Sequence, residues 1–259
     1  MSATRDELKR ELQKLLNEQP GIVAAWEGGA AATGFLDRYS DLDLSIVINE
    51  GKPDEIFTLI DEFFETRYGI LNRLRMPEPT WHGFSQCFYQ LDGFPPLFYC
   101  DIVVIPASVP HKFTEPDRHG HSVIWFDKVG IHSAEETPPE VRKRLVNRIY
   151  RTSIDLEWLF LLELQKALAR KNWLAAQRCY LQFINRHLVP LLNIKYRPAK
   201  ADFGMRYAER EYPPDVVNWL TGLLKITSVE DIETRLPSVV ERIENLKNEL
   251  PAKEEEKQP

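Results

Sequence analysis

Cysteine is scarce in this chain. Cys87, Cys100 and Cys179 are the only three in 259 residues. So few thiols cannot staple a chain of this length, which excludes a disulfide framework and makes a reducing cytoplasm the expected compartment. Long apolar runs are missing as well. No stretch approaches the roughly 18–20 residues that a membrane-spanning helix requires, so no membrane partner is expected. The opening "MSATRDELKRELQKLL" places charges among its apolar positions and reads as an amphipathic helix, not a secretory leader. An excess of positive charge is also absent, the net charge being −6. Nucleic-acid binders carry a basic stripe. The nearest candidate, "RKRLVNRIYR" from Arg142 to Arg151, spreads its cations around a helix whose apolar side carries Val141, Leu145 and Ile149. The acidic balance favours a cationic small molecule or a metal-bound anion over bare DNA or RNA.

What is present suits a chain that buries a core: 43% hydrophobic and 28% charged residues. Thr4 and Glu7 have capping-box spacing, and Leu8, Leu12 and Leu15/Leu16 follow with helical period. "IVAAW" reads as a short buried strand and "DLDLSIVI" as a second. "KPDEIFTLIDEFFETRY" is a helix with Pro53 in its first turn. "GILNRLRM" and "SVIWFD" are further strands, and "PASVPHKFTEPDRHGH" is a loop. "FSQCFYQLDGFPPLFYCDIVVIP" reads as a hairpin turning at Asp92-Gly93. If Leu91 faces Pro96, Cys87 faces Cys100, as packed free thiols. From Pro138 the strand signal disappears. "PPEVRKRLVNRIYRTSIDLEWLFLLELQKALAR" predicts one long helix, "NWLAAQRCYLQFINRHLVPLLNIKY" a second that kinks or ends at Pro190, and two more follow. The expected fold class is therefore α+β. A mixed sheet with flanking helices spans residues 1–135, a helical bundle spans 136–250, and a polar, disordered tail spans 251–259.

The chemistry concentrates in "EGGAAATGFLDRYSDLDLSIVI", Glu27 to Ile48. Side chains two apart on a strand share a face, so Asp41, Asp43 and Ser45 lie opposite Leu42, Leu44 and Ile46. Carboxylates that close repel each other unless a cation sits between them or one takes a proton. Mg²⁺ answers this, binding through one or two carboxylates and the phosphates of a substrate. Upstream, "GGAAATG" has no bulky side chain from Gly28 to Ala32, so its backbone can approach a ligand closely and offer N–H groups to phosphate. A third carboxylate is expected on a neighbouring strand. Asp101, the single charge in "FYCDIVVI", is the candidate, because a buried aspartate requires a partner.

These residues resemble the polymerase-β-like nucleotidyltransferase superfamily, in particular its small-molecule, aminoglycoside-type branch. Members there often read "GGSxARGxxDxYSDLDL", and this chain reads "GGAAATGFLDRYSDLDL" without a gap. Eleven residues separate Gly29 from Asp41. The resemblance covers roughly residues 20–105. "IWFDKVG" is similar to the strand and turn that often close this domain in antibiotic-modifying members, and the helical half is similar in kind to their substrate-binding bundle. The resemblance implies a catalytic domain at 1–135 and a substrate-binding domain at 136–250. It implies transfer of a nucleoside monophosphate, such as AMP from ATP, to a small-molecule hydroxyl with loss of pyrophosphate. Two Mg²⁺ ions would clamp the reacting oxygens. Asp41, Asp43 and Asp101 would be their ligands, and Asp101 would also take the hydroxyl proton. Gly28, Gly29 and Ala30 would cradle the phosphates, with Ser40 supporting the loop. The chain departs from the pattern at Ala30, where the family has serine, and at Thr33, where arginine is frequent. Loss of the serine hydroxyl weakens nucleotide binding by on the order of 1 kcal/mol.

Other constellations carry less. "HGH" (His119, His121) with His111 lies in a proline-containing loop that does not fix ligand geometry. Asp155, Glu157 and Glu163 lie on a helix as solvated charges, although a glutamate of the second domain serves as base in some relatives. "KYRPAKADFGMRYAEREYPP" sets Lys195, Arg197, Lys200 and Arg206 among aromatics, where they either meet a triphosphate or pack. Two alternatives to the small-molecule enzyme stand: a nucleotide-binding or interaction protein that has lost catalysis, and an enzyme that modifies a partner protein.

Overall fold

The first helix starts where its capping signal lies. In the computed structural model, which describes residues 4–250, the Thr4 hydroxyl accepts from the Glu7 N–H at 3.2 Å, and Glu7 accepts from the Thr4 N–H at 3.0 Å. The tail expected to be disordered, 251–259, lies outside the described residues. Helix α1 (Arg5–Asn17) then buries Leu8, Leu12 and Leu16, one per turn of its apolar stripe. Chain order continues as β1 (Ile22–Glu27), α2 (Gly29–Thr33), β2 (Leu42–Ile48), α3 (Pro53–Arg67), β3 (Ile70–Arg75), β4 (Ser85–Leu91), β5 (Cys100–Pro106), α4 (Pro116–His119) and β6 (Val123–Asp127). The six strands form one mixed sheet in the order β3-β4-β5-β2-β1-β6. β2 and β5 are parallel and the other neighbours antiparallel.

Strand alternation divides the sheet into two unlike faces. Leu42, Leu44, Ile46, Cys100, Ile102 and Val104 pack in one cluster with the leucines of α1 and with Ile56, Phe57, Ile60 and Phe64 of α3. Each such side chain contributes roughly 1.5–3 kcal/mol when fully buried. The other face has a smaller cluster, Val23, Ala24, Trp26, Val47, Phe84 and Ile105, with Val109, Phe113 and Ile131 against it. Asp43 and Asp101 alternate onto this second side.

The chain divides after Glu136 into two compact units. The second is helical: α5 (Pro139–Ile154), α6 (Glu157–Ala169), α7 (Trp173–Phe183), a π-helical turn (Ile184–Leu188), α8 (Val189–Tyr196), a 3-10 turn (Pro198–Lys200), α9 (Ala208–Glu211), α10 (Pro214–Leu224) and α11 (Val229–Glu249). The molecule is thus α+β, a helix-flanked mixed sheet followed by helices. No helix of the described residues is long and apolar enough to cross a membrane.

Several local expectations change. The hairpin does not turn tightly at Asp92-Gly93, because residues 92–99 form a longer loop between β4 and β5. Register follows: Cys87 pairs with Ile102 and Tyr89 with Cys100, so the two cysteines are not opposite each other, and both are free and buried. The loop containing "HGH" includes α4, and Gly120 there approaches α2 so closely that a Cβ would lie 2.5 Å from the Ala32 carbonyl oxygen. The helix predicted from Pro139 onward is broken at Asp155–Leu156. Thr152 and Ser153 both donate to the Ile149 carbonyl, at 3.0 and 2.7 Å, competing with the regular helical bond. Ahead of Pro190, the π-helical turn widens the helix where proline supplies no N–H.

The basic loop of the helical unit is bound up internally. Arg197 is buried and donates to Asn193 and Glu211, both at 2.7 Å, and to the carbonyls of Gly204 and Arg206. Lys200 pairs with Glu211, and Lys195 with Glu249. Glu157 is buried against Lys247, and exposed Glu163 pairs with Lys166 at 2.7 Å.

One buried histidine gives this unit a pH dependence. His187 donates from Nδ1 to the Ser153 carbonyl at 2.6 Å, between the rings of Phe160 and Phe183, and its Nε2 is buried without a partner. Burial holds its pKa below the ordinary 6.5. In the unfolded chain the imidazole takes its proton near that ordinary value, and in the folded chain only at lower pH. The unfolded state therefore binds more protons in between. This contribution to stability is complete above about pH 6.5 and declines as the pH falls. We expect the melting temperature to drop between about pH 7 and pH 5, and His187→Gln to flatten that slope. An unchanged slope in the variant would remove His187 from the account.

Candidate functional site

Asp43 and Asp101 come together through the one parallel pairing in the sheet. They occupy the same register level, Asp43 on β2 directly opposite Asp101 on β5. Their neighbours Leu42, Leu44, Cys100 and Ile102 alternate into the helix-covered cluster, so both carboxylates stand on the other face. Asp41 lies just ahead of β2.

Each carboxylate has its own surroundings. Asp101 Oδ1 accepts from Gln86 Nε2 at 2.7 Å. Asp41 has the phenol of Tyr99, the residue before β5, in its surroundings. Burial raises the Tyr99 pKa, and the hydrogen bond to Asp41 together with the charges of Asp41, Asp43 and Asp101 raises it further. All three carboxylates therefore act on one phenol. Asp43 lies against the glycine turn. The Gly28 N–H donates to its carbonyl at 2.8 Å. A Cβ on Gly29 would lie 1.7 Å from Asp43 Oδ2 and 2.5 Å from its Cγ. Gly29 also has a positive φ of 52°. Glycine is required there on both counts.

The small residues after the turn form α2, a single short turn of helix. Ala30 lies in it, and its carbonyl accepts from the N–H groups of Gly34 and Phe35. The Thr33 hydroxyl, in place of an arginine, folds back onto the Gly29 carbonyl at 3.0 Å. Ser40 closes the turn leading to Asp41: its hydroxyl donates to Asp37 Oδ1 and accepts from the Asp37 N–H, both at 2.9 Å. That hydrogen bond holds the Asp37 carboxyl below the usual carboxylate range.

Donor chemistry suits a hard divalent cation, since aspartate oxygens and closely approachable backbone are what Mg²⁺ and phosphate take. The side chains are not gathered around one point, however. Among the described residues, no group of three or more His, Cys, Asp or Glu is placed to hold a metal ion. Gln86 supplies Asp101 with a neutral donor.

Three contributors escape sequence reasoning. Tyr99 and Gln86 carry no motif. Glu27 does leave a signal, as a charge ending the wholly apolar "IVAAW". It pairs in register with Leu44, so it points to the helix-covered side. There it is fully buried and paired with Arg5 and Lys9 of α1, the latter at 3.0 Å. Arg5 also donates to the Asp41 carbonyl at 3.1 Å. One arginine thus ties α1, the end of β1 and the start of β2 together.

At the far side of β1, Asp127 closes the "DKVG" turn. Burial raises its pKa, but hydrogen bonds from the backbone N–H groups of His132, Ile131 and Val129 outweigh this and hold the carboxyl below its ordinary value.

No protein-family model matches this chain, and no curated protein matches it. Among solved structures it is similar to an aminoglycoside 6-adenyltransferase from Bacillus subtilis, at 13% identity over 95% of this chain and 89% of that one, with a TM-score of 0.35. It is also similar to a STING-associated CdnE c-di-GMP synthase from Capnocytophaga granulosa, at 13% identity over 95% and 81% of the two chains, with a TM-score of 0.29. Similarity this distant assigns neither activity nor substrate.

Proposed function

We propose that the N-terminal unit catalyses metal-dependent nucleotidyl transfer to a hydroxyl of a small molecule. One observation supports this above the rest: Asp43 and Asp101 are register partners on the sheet face opposite α1 and α3, with the glycine turn against the Asp43 carboxylate. Asp41 and Asp43 would hold two Mg²⁺ ions, and Asp101 the one nearer the acceptor. Bound there, the metals would supply charge neutralisation at the attacking and leaving oxygens. Asp101 takes the acceptor's hydroxyl proton. The freed oxygen forms a bond to the α-phosphorus of ATP or another nucleoside triphosphate, the bond from that phosphorus to the bridging oxygen breaks, and pyrophosphate leaves. The backbone at Gly28, Gly29 and Ala30 positions the phosphates, and Ser40 shapes the turn that carries Asp41.

An aminoglycoside-like polycation is the acceptor class we favour, because the chain's net charge of −6 attracts it. The test is to incubate the protein with Mg²⁺, labelled ATP and a panel of aminoglycosides. Label on the antibiotic with pyrophosphate release is the expected result. No pyrophosphate with any nucleotide or acceptor, together with a melting temperature unmoved by Mg·ATP, overturns the reading. Ala30, in place of the serine hydroxyl of similar sequences, favours a second reading in which nucleotide binds without transfer. Mg·ATP would then raise the melting temperature with no pyrophosphate released. Label recovered on protein would instead indicate a protein acceptor.

Gly29→Ala tests the turn. The left-handed backbone costs a residue with a Cβ about 1–2 kcal/mol, and the added carbon displaces the Asp43 carboxylate. A displacement on the order of 1 Å at a reacting centre costs about a hundredfold in rate. We expect a modest fall in melting temperature and a far larger fall in transfer. Wild-type transfer by this variant would show that Asp43 needs no support from the turn.

A further inference from the structure

Gln86 is held at both ends. Its Nε2 donates to Asp101 Oδ1 at 2.7 Å, and its Oε1 lies 3.2 Å from His82 Nε2. His82 Nδ1 lies 3.1 Å from the Phe84 backbone nitrogen, which can only donate. Nδ1 is therefore the lone-pair nitrogen, and the imidazole proton sits on Nε2, directed at Gln86. The His82 ring is itself fixed, edge-on to Trp81 and to Phe113. A glutamine amide can otherwise sit in either of two orientations, and the wrong one would aim its carbonyl oxygen at the Asp101 carboxylate. A donor at the Oε1 end permits only the orientation that gives Asp101 an N–H.

We propose that Gln86 and His82 are positioning residues for the metal site. His82 fixes the amide of Gln86, and Gln86 fixes the Asp101 carboxylate at the register level of Asp43. The proposal rests on the metal-dependent reading of this site. Neither residue touches the reacting atoms. Their part is that of outer partners that orient a ligand, whose loss typically lowers metal affinity about 10–100-fold.

The test is Mn²⁺ binding to the full chain by isothermal titration calorimetry, alone and with a non-hydrolysable ATP analogue. Gln86→Met keeps the side-chain length and removes both hydrogen bonds. We expect it to bind Mn²⁺ about tenfold more weakly. His82→Asn retains an acceptor for the Phe84 N–H but does not reach Gln86, and should weaken binding by a smaller factor, about threefold. In the double variant His82→Asn should add nothing to Gln86→Met, because it acts only through that amide. Gln86→Leu replaces Gln86→Met should the latter fail to fold. If the wild type binds Mn²⁺ and Gln86→Met binds it equally well, the positioning role is wrong and the metal reading stands. If His82→Asn has its full effect in the double variant, the chain from His82 through Gln86 is wrong. If the wild type takes up no Mn²⁺ with or without the analogue, the metal reading fails and this inference fails with it.

Discussion

Asp43→Asn is expected to lower nucleotidyl transfer by about a thousandfold while the melting temperature stays at or above that of the wild type. Asp43 stands between the other elements of the site, opposite Asp101 in register and against the backbone of Gly29. An amide of the same shape keeps the packing but removes the negative charge that would face the metals. Metal-assisted stabilisation of charge in the transition state is worth several kcal/mol, and about 4 kcal/mol corresponds to roughly a thousandfold in rate. The stability effect has the opposite sign. Asp43 and Asp101 face each other in register and repel, so neutralising one relieves that repulsion. Pyrophosphate release and thermal denaturation, with and without Mg·ATP, read both effects. Transfer at wild-type rate by this variant would end the catalytic assignment. A variant that loses transfer because it unfolds would show that Asp43 is needed for the fold, not specifically for the chemistry.

Glu27→Gln is expected to give the largest loss of stability. Glu27 is fully buried at the end of β1 and holds Arg5 and Lys9 from α1. Removing one partner of a buried ion pair leaves uncompensated charge and costs about 3–5 kcal/mol. Arg5 and Lys9 keep 18% and 26% of their side-chain surface, so water partly compensates and the lower end, about 3 kcal/mol, applies. For the sheet unit that is on the order of 10 °C in melting temperature. Arg5 also holds the Asp41 carbonyl, so the variant should lose transfer beyond what its stability predicts at temperatures where it remains folded. The triple variant Glu27→Leu, Arg5→Met, Lys9→Met removes the charges together and should recover much of the stability, since apolar replacement of a buried ion pair is often neutral. It should not recover transfer. A Glu27→Gln melting temperature within about 2 °C of wild type would show that the two cations find water instead.

The elements that were legible from sequence are those set by contacts close along the chain. Thr4 and Glu7 cap α1 because they are three residues apart. β2 alternates because its neighbours impose a period of two. Gly29 stands out because only glycine tolerates that backbone. Asp43 faces away from Leu42 and Leu44 by the same alternation, whereas Asp41 lies ahead of β2. What was misread depended on partners further off. The register between β4 and β5 slipped by two residues because the 92–99 loop, not Asp92-Gly93 alone, makes the turn. The helix after Pro139 looked continuous because hydrophobic period does not register two hydroxyls drawing on the Ile149 carbonyl. "KYRPAKADFGMRYAEREYPP" offered cations that seemed available until Glu211 and Glu249 were found to engage them.

By itself the sequence determined that a glycine turn precedes two closely spaced aspartates at the start of a strand, and that a lone aspartate waits on a later strand. Tertiary structure alone decided that β5 returns parallel to β2 in the register that sets Asp101 opposite Asp43, after α3, β3 and β4 have intervened. It alone decided that Glu27 faces α1 and not the site, that Gln86 donates to Asp101, and that His82 Nε2 lies 3.2 Å from Gln86 Oε1. The reason is physical. Alternation and capping are properties of neighbouring residues, whereas register, ion pairing and amide orientation come from whichever side chains the packed sheet brings within about 3 Å of each other.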